Sequence, residues 1–303
     1  MKTYLLDDLS REEVRQLCQR NPVYDSELIE LCREVFERVS EQGDDAVRDY
    51  TRRFDKVEIE DCRVSPEELR ESREGLPPEV ADSMETAIRN IRSFHATQLM
   101  SEAPLEVQAG VTCWRAARAI GAVGLYVPAG TAVLPSTVLM LGVPAKLAGC
   151  SKVVLCVPPR SDGSVDPSVL LAAQLSGVRQ VFKVGGAQAI AAMALGTESI
   201  PKVNKILGPG NRVVQTAKLL ATFHGVSIDM VAGPSEVLVI ADESASPQVV
   251  ASDLISQAEH GADSQVVLVS NDPQLVEDSA EAVTDQLRNL PRRELAEKSL
   301  AGR

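Results

Sequence analysis

The sequence of 303 residues predicts an α/β protein with two Rossmann-like lobes of parallel-rich sheet, preceded by a helical N-terminal segment. Short apolar strands alternate with helical stretches of roughly 10–15 residues in the later part of the chain, as they do in βαβ units. Apolar residues make up 44% of the chain but aromatic residues only 3%, so the core must consist mainly of aliphatic side chains. Such a core suits parallel strands buried under helices better than a sandwich or barrel.

Helices dominate the predicted structure up to residue 115. The spacing of apolar residues among many charges predicts helices at 26–51, 65–74 and 78–98. The pair Pro77-Pro78 stands at the start of the third helix, where proline is tolerated. The apolar residues of that helix form one stripe, which we interpret as a packing surface without chemistry: Val80, Met84, Ile88 and Ile91.

Strands and helices alternate after residue 115. The first set consists of strands at 119–130, 152–157 and 180–184 and helices at 136–149, 169–177 and 187–196. A second strand–helix–strand–helix set is predicted over 235–290. Parallel strands joined by helical crossovers form doubly wound sheets, so each set predicts one α/β lobe.

The composition limits the partners and the location. The net charge of −12 argues against a nucleic-acid or anionic-membrane partner, because both require clusters of lysine and arginine. No window approaches the ~20 consecutive apolar residues of a membrane span. The N-terminus becomes acidic within seven residues and carries no signal-peptide core, which predicts a cytoplasmic protein. The six cysteines form no C-x-x-C pair, so we expect free thiols buried as small hydrophobic side chains.

Four glycine-containing turns have the chemistry of a ligand site, and they span 126–130, 184–188, 208–211 and 232–236. Glycine lets a backbone approach a ligand closely, and a helix N-terminus carries partial positive charge suited to a phosphate. The sequence GPGNRV is close to the dinucleotide fingerprint G-x-G-x-x-G but has Val213 at its last position. Ordinary βα loops also use glycine, so these residues alone leave both a dinucleotide site and plain loops open.

Gln257 and His260 lie three residues apart at the end of a predicted helix that Gly261 terminates. This spacing puts both side chains on one helix face, where a ring nitrogen and an amide oxygen could ligate zinc. The alternative is that His260 only caps the last helical carbonyls, since two ligands are fewer than a zinc site needs. His95 and His224 have no partner at ligand spacing, and no Ser-His-Asp order or nucleophile elbow supports a hydrolase.

Several long segments closely resemble the histidinol dehydrogenase family in order and spacing: GLYVPAG, VGGAQAIAA, GTESIPKVNKILGPGN, IDMVAGPSEVLVIAD and ASDLISQAEHGADSQ. The resemblance extends over the whole chain and is most specific over 120–268. It implies a zinc-dependent homodimer, with an active site shared between subunits, that oxidises L-histidinol to L-histidine in two hydride transfers to NAD. It also implies an N-terminal arm of 1–24, a first lobe formed by 25–117 with 235–303, and a second lobe of 118–234 that carries the NAD-contacting turns.

The same resemblance implies a role for each matching site residue. It assigns the contacts with NAD to Tyr126, Gln188 and Asn211. It assigns contact with the substrate to Ser235. It assigns zinc binding to Gln257 and His260, which would also orient the substrate through the metal. A zinc ion could hold the imidazole and amine of histidinol and place its carbinol carbon near the nicotinamide.

The chain departs from the family at its C-terminal end, RRELAEKSLAGR, where the family continues. The family's Glu-His acid/base pair, a zinc-binding Asp and a zinc-binding His lent by the partner subunit lie beyond Arg303, and no His follows His260. We therefore assign no catalytic acid or base within the chain, and we expect the chain alone to be inactive and to expose apolar surface. The alternative is a shortened, catalytically inactive relative that binds NAD or pairs with another subunit.

Overall fold

The structure is a computed structural model that describes residues 2–18, 25–99, 102–129, 133–231, 236–262 and 264–301. The contacts between residues divide the chain into two compact units. The larger unit comprises 24–232, and the smaller one comprises 1–23 together with 233–303.

The chain before residue 100 is helical, as predicted, and its helices are α1 (Arg11–Cys18), α2 (Ser26–Gln42), α3 (Asp44–Tyr50), α4 (Pro66–Glu71) and α5 (Pro78–Ala96). The single helix predicted at 26–51 is wrong, because Gly43 takes a φ of 54° and separates α2 from α3. A π-helical turn, Thr51–Asp55, then continues α3 and ends at Lys56, whose φ is 61°. Asp25 caps α2 by accepting hydrogen bonds from the amides of Glu27 and Leu28.

A βα series follows, with elements β1 (Leu105–Gln108), β2 (Val111–Cys113), β3 (Ala122–Tyr126), α6 (Pro135–Leu147), β4 (Lys152–Val157), α7 (Pro167–Leu175), β5 (Gln180–Lys183), α8 (Gly186–Leu195), β6 (Lys205–Leu207), α9 (Arg212–Phe223) and β7 (Ser227–Ile228). The prediction of strands β3, β4 and β5 and of the helices between them is confirmed. It missed β6 and β7, which are too short to show a period, and the antiparallel pair β1–β2, whose residues are all exposed.

Strands β3 to β7 form one parallel sheet in the order β5-β4-β3-β6-β7. Successive residues of β4 point to opposite faces, so Val154 and Cys156 join one core while Val153 and Leu155 join the other. Helices α2, α8 and α9 pack together on the first face, and α5, α6 and α7 on the second. The segment 25–117 therefore groups with 118–232, whereas the family layout led us to expect it with 235–303.

The smaller unit contains α1 and the elements β8 (Glu236–Ala241), α10 (Pro247–Ala258), β9 (Gln265–Ser270), α11 (Pro273–Leu287) and α12 (Arg293–Ala301). Strands β8 and β9 pair in parallel. One face of this pair packs against α10, α11 and α12. The other face, which we call the open apolar face, consists of exposed side chains: Leu238, Ile240, Val267 and Val269.

All six cysteines are free thiols. Four of them are buried, as expected, namely Cys32, Cys62, Cys150 and Cys156. The expectation is wrong for Cys18, at the end of α1, and for Cys113, on the exposed strand β2. Within the described ranges, every helix is too short or too polar to cross a lipid bilayer.

Candidate functional site

The order in which strands are added to the parallel sheet of the larger unit reverses between β3 and β6. From β3 the chain builds outward through β4 and β5, and it then crosses back to place β6 on the opposite side of β3. Open α/β sheets bind ligands outside the carboxyl ends of the strands at such a topological switch point. Tyr126 ends β3 and Gly208 follows β6, so both residues lie at this edge of the sheet.

Gly208 approaches the neighbouring strand so closely that no other residue fits there. Its φ is 135°, and a Cβ atom built on it would lie 2.0 Å from the carbonyl oxygen of Tyr126. Glycine is therefore required at this position by the packing of the turn against the end of β3.

Tyr126 is buried, and its hydroxyl accepts a hydrogen bond from the amide of Gly186 at 3.1 Å. Gly186 is the first residue of α8 and has a φ of 59°, so this hydrogen bond joins the end of β3 to the start of α8. Burial raises the pKa of the Tyr126 hydroxyl to about 12. The hydroxyl is therefore neutral at physiological pH and keeps a proton that it can donate to a ligand.

Gln188 is fully buried on α8, two residues after Gly186. Its Nε2 donates to the Asp55 carboxylate at 3.3 Å. Its Oε1 is buried and has no hydrogen-bond partner among the described residues. A buried acceptor without a hydrogen bond destabilises the fold by about 1–3 kcal/mol. A ligand that supplied a hydrogen-bond donor to this oxygen would remove that penalty and bind more tightly. Asp55 is not among the predicted site residues, because it lies 133 residues before Gln188 in the chain.

Asn211 caps helix α9, and its side-chain oxygen accepts from the Val214 amide at 3.1 Å. This hydrogen bond fixes the turn that begins at Gly208 and places the remaining free amides of the helix N-terminus at the sheet edge. Such an N-terminus carries partial positive charge and suits a phosphate. The prediction that this turn opens a helix is confirmed.

A buried lysine fixes the same turn from behind. Lys218 on α9 is only 1% exposed, and its Nζ donates to the Gly208 carbonyl oxygen at 2.8 Å while it pairs with the carboxylate of Asp229. Asp229 in turn accepts from the Gly208 amide at 2.8 Å. Both backbone groups of Gly208 are thus held by one ion pair.

Gln257 and His260 lie in the smaller unit, at the end of α10. The helix ends at Ala258, so the expectation that it runs to Gly261 is wrong and His260 lies in the following turn. His260 Nδ1 lies 2.8 Å from the Ser256 carbonyl oxygen, so the capping interaction that we held as the alternative is present. When Nδ1 carries the proton of this hydrogen bond, Nε2 keeps a lone pair, which is the state of a metal-binding histidine.

The metal donors fit part of a zinc site. The exposed His260 offers Nε2, and Gln257 offers its amide oxygen, while the Gln257 Nε2 is buried and has no hydrogen-bond partner among the described residues. Among the described residues, no three His, Cys, Asp or Glu side chains form a group that could hold a metal ion. Ser235 and its turn lie outside the described residues.

The structure therefore brings the three predicted NAD residues, Tyr126, Gln188 and Asn211, to one edge of one sheet. A doubly wound parallel sheet with glycine turns at its switch point defines an α/β protein of the class that binds ligands at the carboxyl edge of its sheet.

Comparison with known proteins identifies the family. A family model described as histidinol dehydrogenase matches residues 18–303. The chain is 49% identical over 291 residues to the histidinol dehydrogenase of Bacteroides thetaiotaomicron, covering 96% of this chain and 68% of the relative. It is 51% identical over 283 residues to that of Bacteroides fragilis, covering 93% of this chain and 66% of the relative. The chain belongs to the histidinol dehydrogenase family.

A solved structure agrees with this assignment. The crystal structure of histidinol dehydrogenase from Elizabethkingia anophelis matches with a TM-score of 0.90 and 45% identity, over 96% of this chain and 67% of that one. The predicted α/β fold class is confirmed by this match. The chain spans about two thirds of the length of the relatives it matches.

Proposed function

We propose that the protein takes part in the NAD-linked, zinc-dependent oxidation of L-histidinol to L-histidine in histidine biosynthesis. The observation that carries this proposal is the position of Tyr126, Gln188 and Asn211 at the carboxyl end of one parallel sheet, with Tyr126 and Asn211 on the two sides of its switch point. The free thiols of all six cysteines suit the reducing cytoplasm in which we place the protein.

NAD would bind at the carboxyl edge of the larger sheet. The N-terminus of α9 behind Asn211 suits the pyrophosphate, and the Tyr126 hydroxyl and the Gln188 carbonyl offer a donor and an acceptor to polar groups of the cofactor. NAD supplies the hydride acceptor when bound, while these residues bind and orient it.

Zinc would be held by Gln257 and His260, together with ligands that the described residues do not supply. The ion supplies Lewis-acid polarisation and fixes the substrate. The Ser256 carbonyl would accept from Nδ1 of the His260 ring and leave Nε2 available as a metal ligand, and Ser235 would contact histidinol. The Glu-His pair that the family uses to move protons has no match in this chain, so we propose that the chain alone lacks turnover.

A second candidate function is subunit pairing, and the open apolar face favours it. Its four side chains are 37–78% exposed on adjacent strands, which is an unusual amount of contiguous apolar surface for a free sheet. We propose that the working protein is a homodimer with a shared active site. Light scattering of the purified chain tests this directly, since a monomer at micromolar concentration would contradict it for this chain.

An assay of the chain with zinc, NAD and L-histidinol tests the proposed function. The NADH absorbance is followed at basic pH, and NAD binding is measured separately by calorimetry. We expect saturable NAD binding, weakened by Tyr126→Ala, without turnover. Turnover would contradict the proposed lack of an acid/base group, and absent NAD binding would contradict the cofactor site.

A further inference from the structure

Asp55 occupies an irregular segment directly beside the proposed NAD site. It is the last residue of the π-helical turn Thr51–Asp55. Lys56, which follows, is the one residue other than glycine with a positive φ among the described residues, at 61°. Single π-helical turns and left-handed non-glycine residues each cost stability, and they concentrate at functional sites. Two such features on adjacent residues point to a function for this segment.

The Asp55 carboxylate determines which way the buried Gln188 amide faces. Its Oδ2 lies 3.3 Å from Gln188 Nε2. An ionised carboxylate only accepts hydrogen bonds, so it selects the amide orientation with the NH₂ group toward Asp55 and the oxygen away from it. The side chain of Gln188 is 0% exposed, and its Oε1 has no hydrogen-bond partner among the described residues.

We propose that Asp55 is a positioning residue for the dinucleotide: it holds the Gln188 amide so that Oε1 accepts a hydrogen bond from an amide or hydroxyl group of NAD. This inference rests on the proposed NAD site and adds a residue to it. Asp55 acts through Gln188 rather than on the cofactor itself.

The electrostatics of Asp55 agree with this role. Burial raises the pKa of its carboxyl to about 6, so the group is ionised and acceptor-only at pH 8. No lysine, arginine or histidine of the described residues forms a salt bridge with it. A partly buried carboxylate that is paired with one neutral donor destabilises the fold, because burial removes water from its charge. Such groups concentrate at binding and catalytic sites.

The test is NAD binding at pH 8, measured by calorimetry on the full chain and on variants. Asp55→Ala removes the acceptor that orients Gln188. We expect the Kd for NAD to rise at least about tenfold, which corresponds to the loss of one hydrogen bond. Asp55→Asn keeps a carbonyl oxygen that can accept from Gln188, so its Kd should stay within about threefold of the parent. Glu58→Ala is the matched control, because it removes an exposed carboxylate three residues away. Thermal unfolding of each variant checks that the fold is retained.

A double variant separates positioning from a general structural role. If Asp55 acts through Gln188, then Asp55→Ala combined with Gln188→Ala should bind NAD no more weakly than Gln188→Ala alone. Additive losses, or an Asp55→Ala chain that binds like the parent, would overturn the role of Asp55 while leaving the NAD site intact. A parent chain that does not bind NAD would instead overturn the proposed function and this inference together.

Discussion

Lys218 and Asp229 form an ion pair that holds the glycine turn of the switch point by both of its backbone groups. The ammonium group reaches the carbonyl oxygen of Gly208, and the carboxylate accepts from the amide of the same residue. Burial alone would raise the pKa of Asp229, but hydrogen bonds from Lys218 and from the amides of Gly208 and Met230 outweigh it and hold the pKa below its usual range. The position of the turn therefore depends on a pair of charges that lies behind it.

Lys218→Met should lower the free energy of unfolding by about 3 kcal/mol, because it leaves the Asp229 carboxylate without its cation. Urea unfolding measures this change. Arg70→Met is the control, since the Arg70–Glu67 pair is exposed and its loss should cost less than about 1 kcal/mol. Equal effects of the two substitutions would show that the buried pair adds nothing beyond a surface pair.

Gly208→Ala should destabilise the larger unit by at least about 3 kcal/mol and abolish NAD binding. The new Cβ would lie 2.0 Å from the Tyr126 carbonyl oxygen at a φ of 135°, so the turn must move. Gly75→Ala is the matched control, because Gly75 has no positive φ and no atom within 4 Å of the new Cβ. Thermal unfolding and calorimetry with NAD give the two measurements. A Gly208→Ala chain as stable as the Gly75→Ala chain would contradict the close approach.

Asp55→Asn should stabilise the protein, and the gain should depend on pH. The folded-state pKa of Asp55 is raised from 3.8 to about 6, so the folded protein holds this proton more tightly than the unfolded chain. Stability is therefore lost as the pH rises between these values. Allowing for the solvent that screens this half-buried group, we expect a gain of about 1–2 kcal/mol above pH 6 that disappears below pH 4.

Denaturant unfolding of the parent and of Asp55→Asn at pH 4, 6 and 8 measures this difference. Glu58→Gln serves as the control, since Glu58 is exposed and should give no pH-dependent gain. A gain for Asp55→Asn that is the same at all three pH values would come from packing rather than from titration of the carboxyl.

His260→Ala should weaken zinc binding by the chain at least about tenfold, because it removes one of the two donors that we propose for the ion. Competition with a chromophoric chelator measures the affinity without any turnover. His95→Ala is the control, since His95 is a half-buried histidine near the end of its helix whose Nδ1 contacts Gln98 at 2.7 Å. NAD binding should be unchanged in both variants, and equal zinc affinities would rule out His260 as a ligand.

The periodic parts of this fold could be predicted from sequence, and the long-range parts could not. Strand β4 begins and ends at the predicted residues because its buried apolar run is bounded by polar turns. The three-residue strand β6 joins the sheet through long-range pairing with β3 and pairing with β7, which no local pattern reveals. The break between α2 and α3 at Gly43 could not be predicted from local sequence. The backbone amide of the next residue, Asp44, donates to the distant Glu198.

The candidate site divides in the same way. Family motifs name Tyr126, Gln188 and Asn211, and the sheet order explains why these residues meet. Asp55 carries no motif of its own, because its contact with Gln188 spans 133 residues of chain. Residues that act through another side chain are recognised by a hydrogen bond and burial, which appear only once the chain has folded.

The central place of β3 has a consequence for synthesis on the ribosome. Its first neighbour, β4, follows within about 30 residues. The backbone amide of Ala122, on the other edge of β3, donates to Asn204, which is synthesised 82 residues later. At translation rates of about 5–20 residues per second, that edge stays open for roughly 4 to 16 seconds. A nascent chain in which one edge of an apolar strand stays unpaired for so long is a natural client for chaperones, and slowing translation across 127–204 should lower the soluble yield.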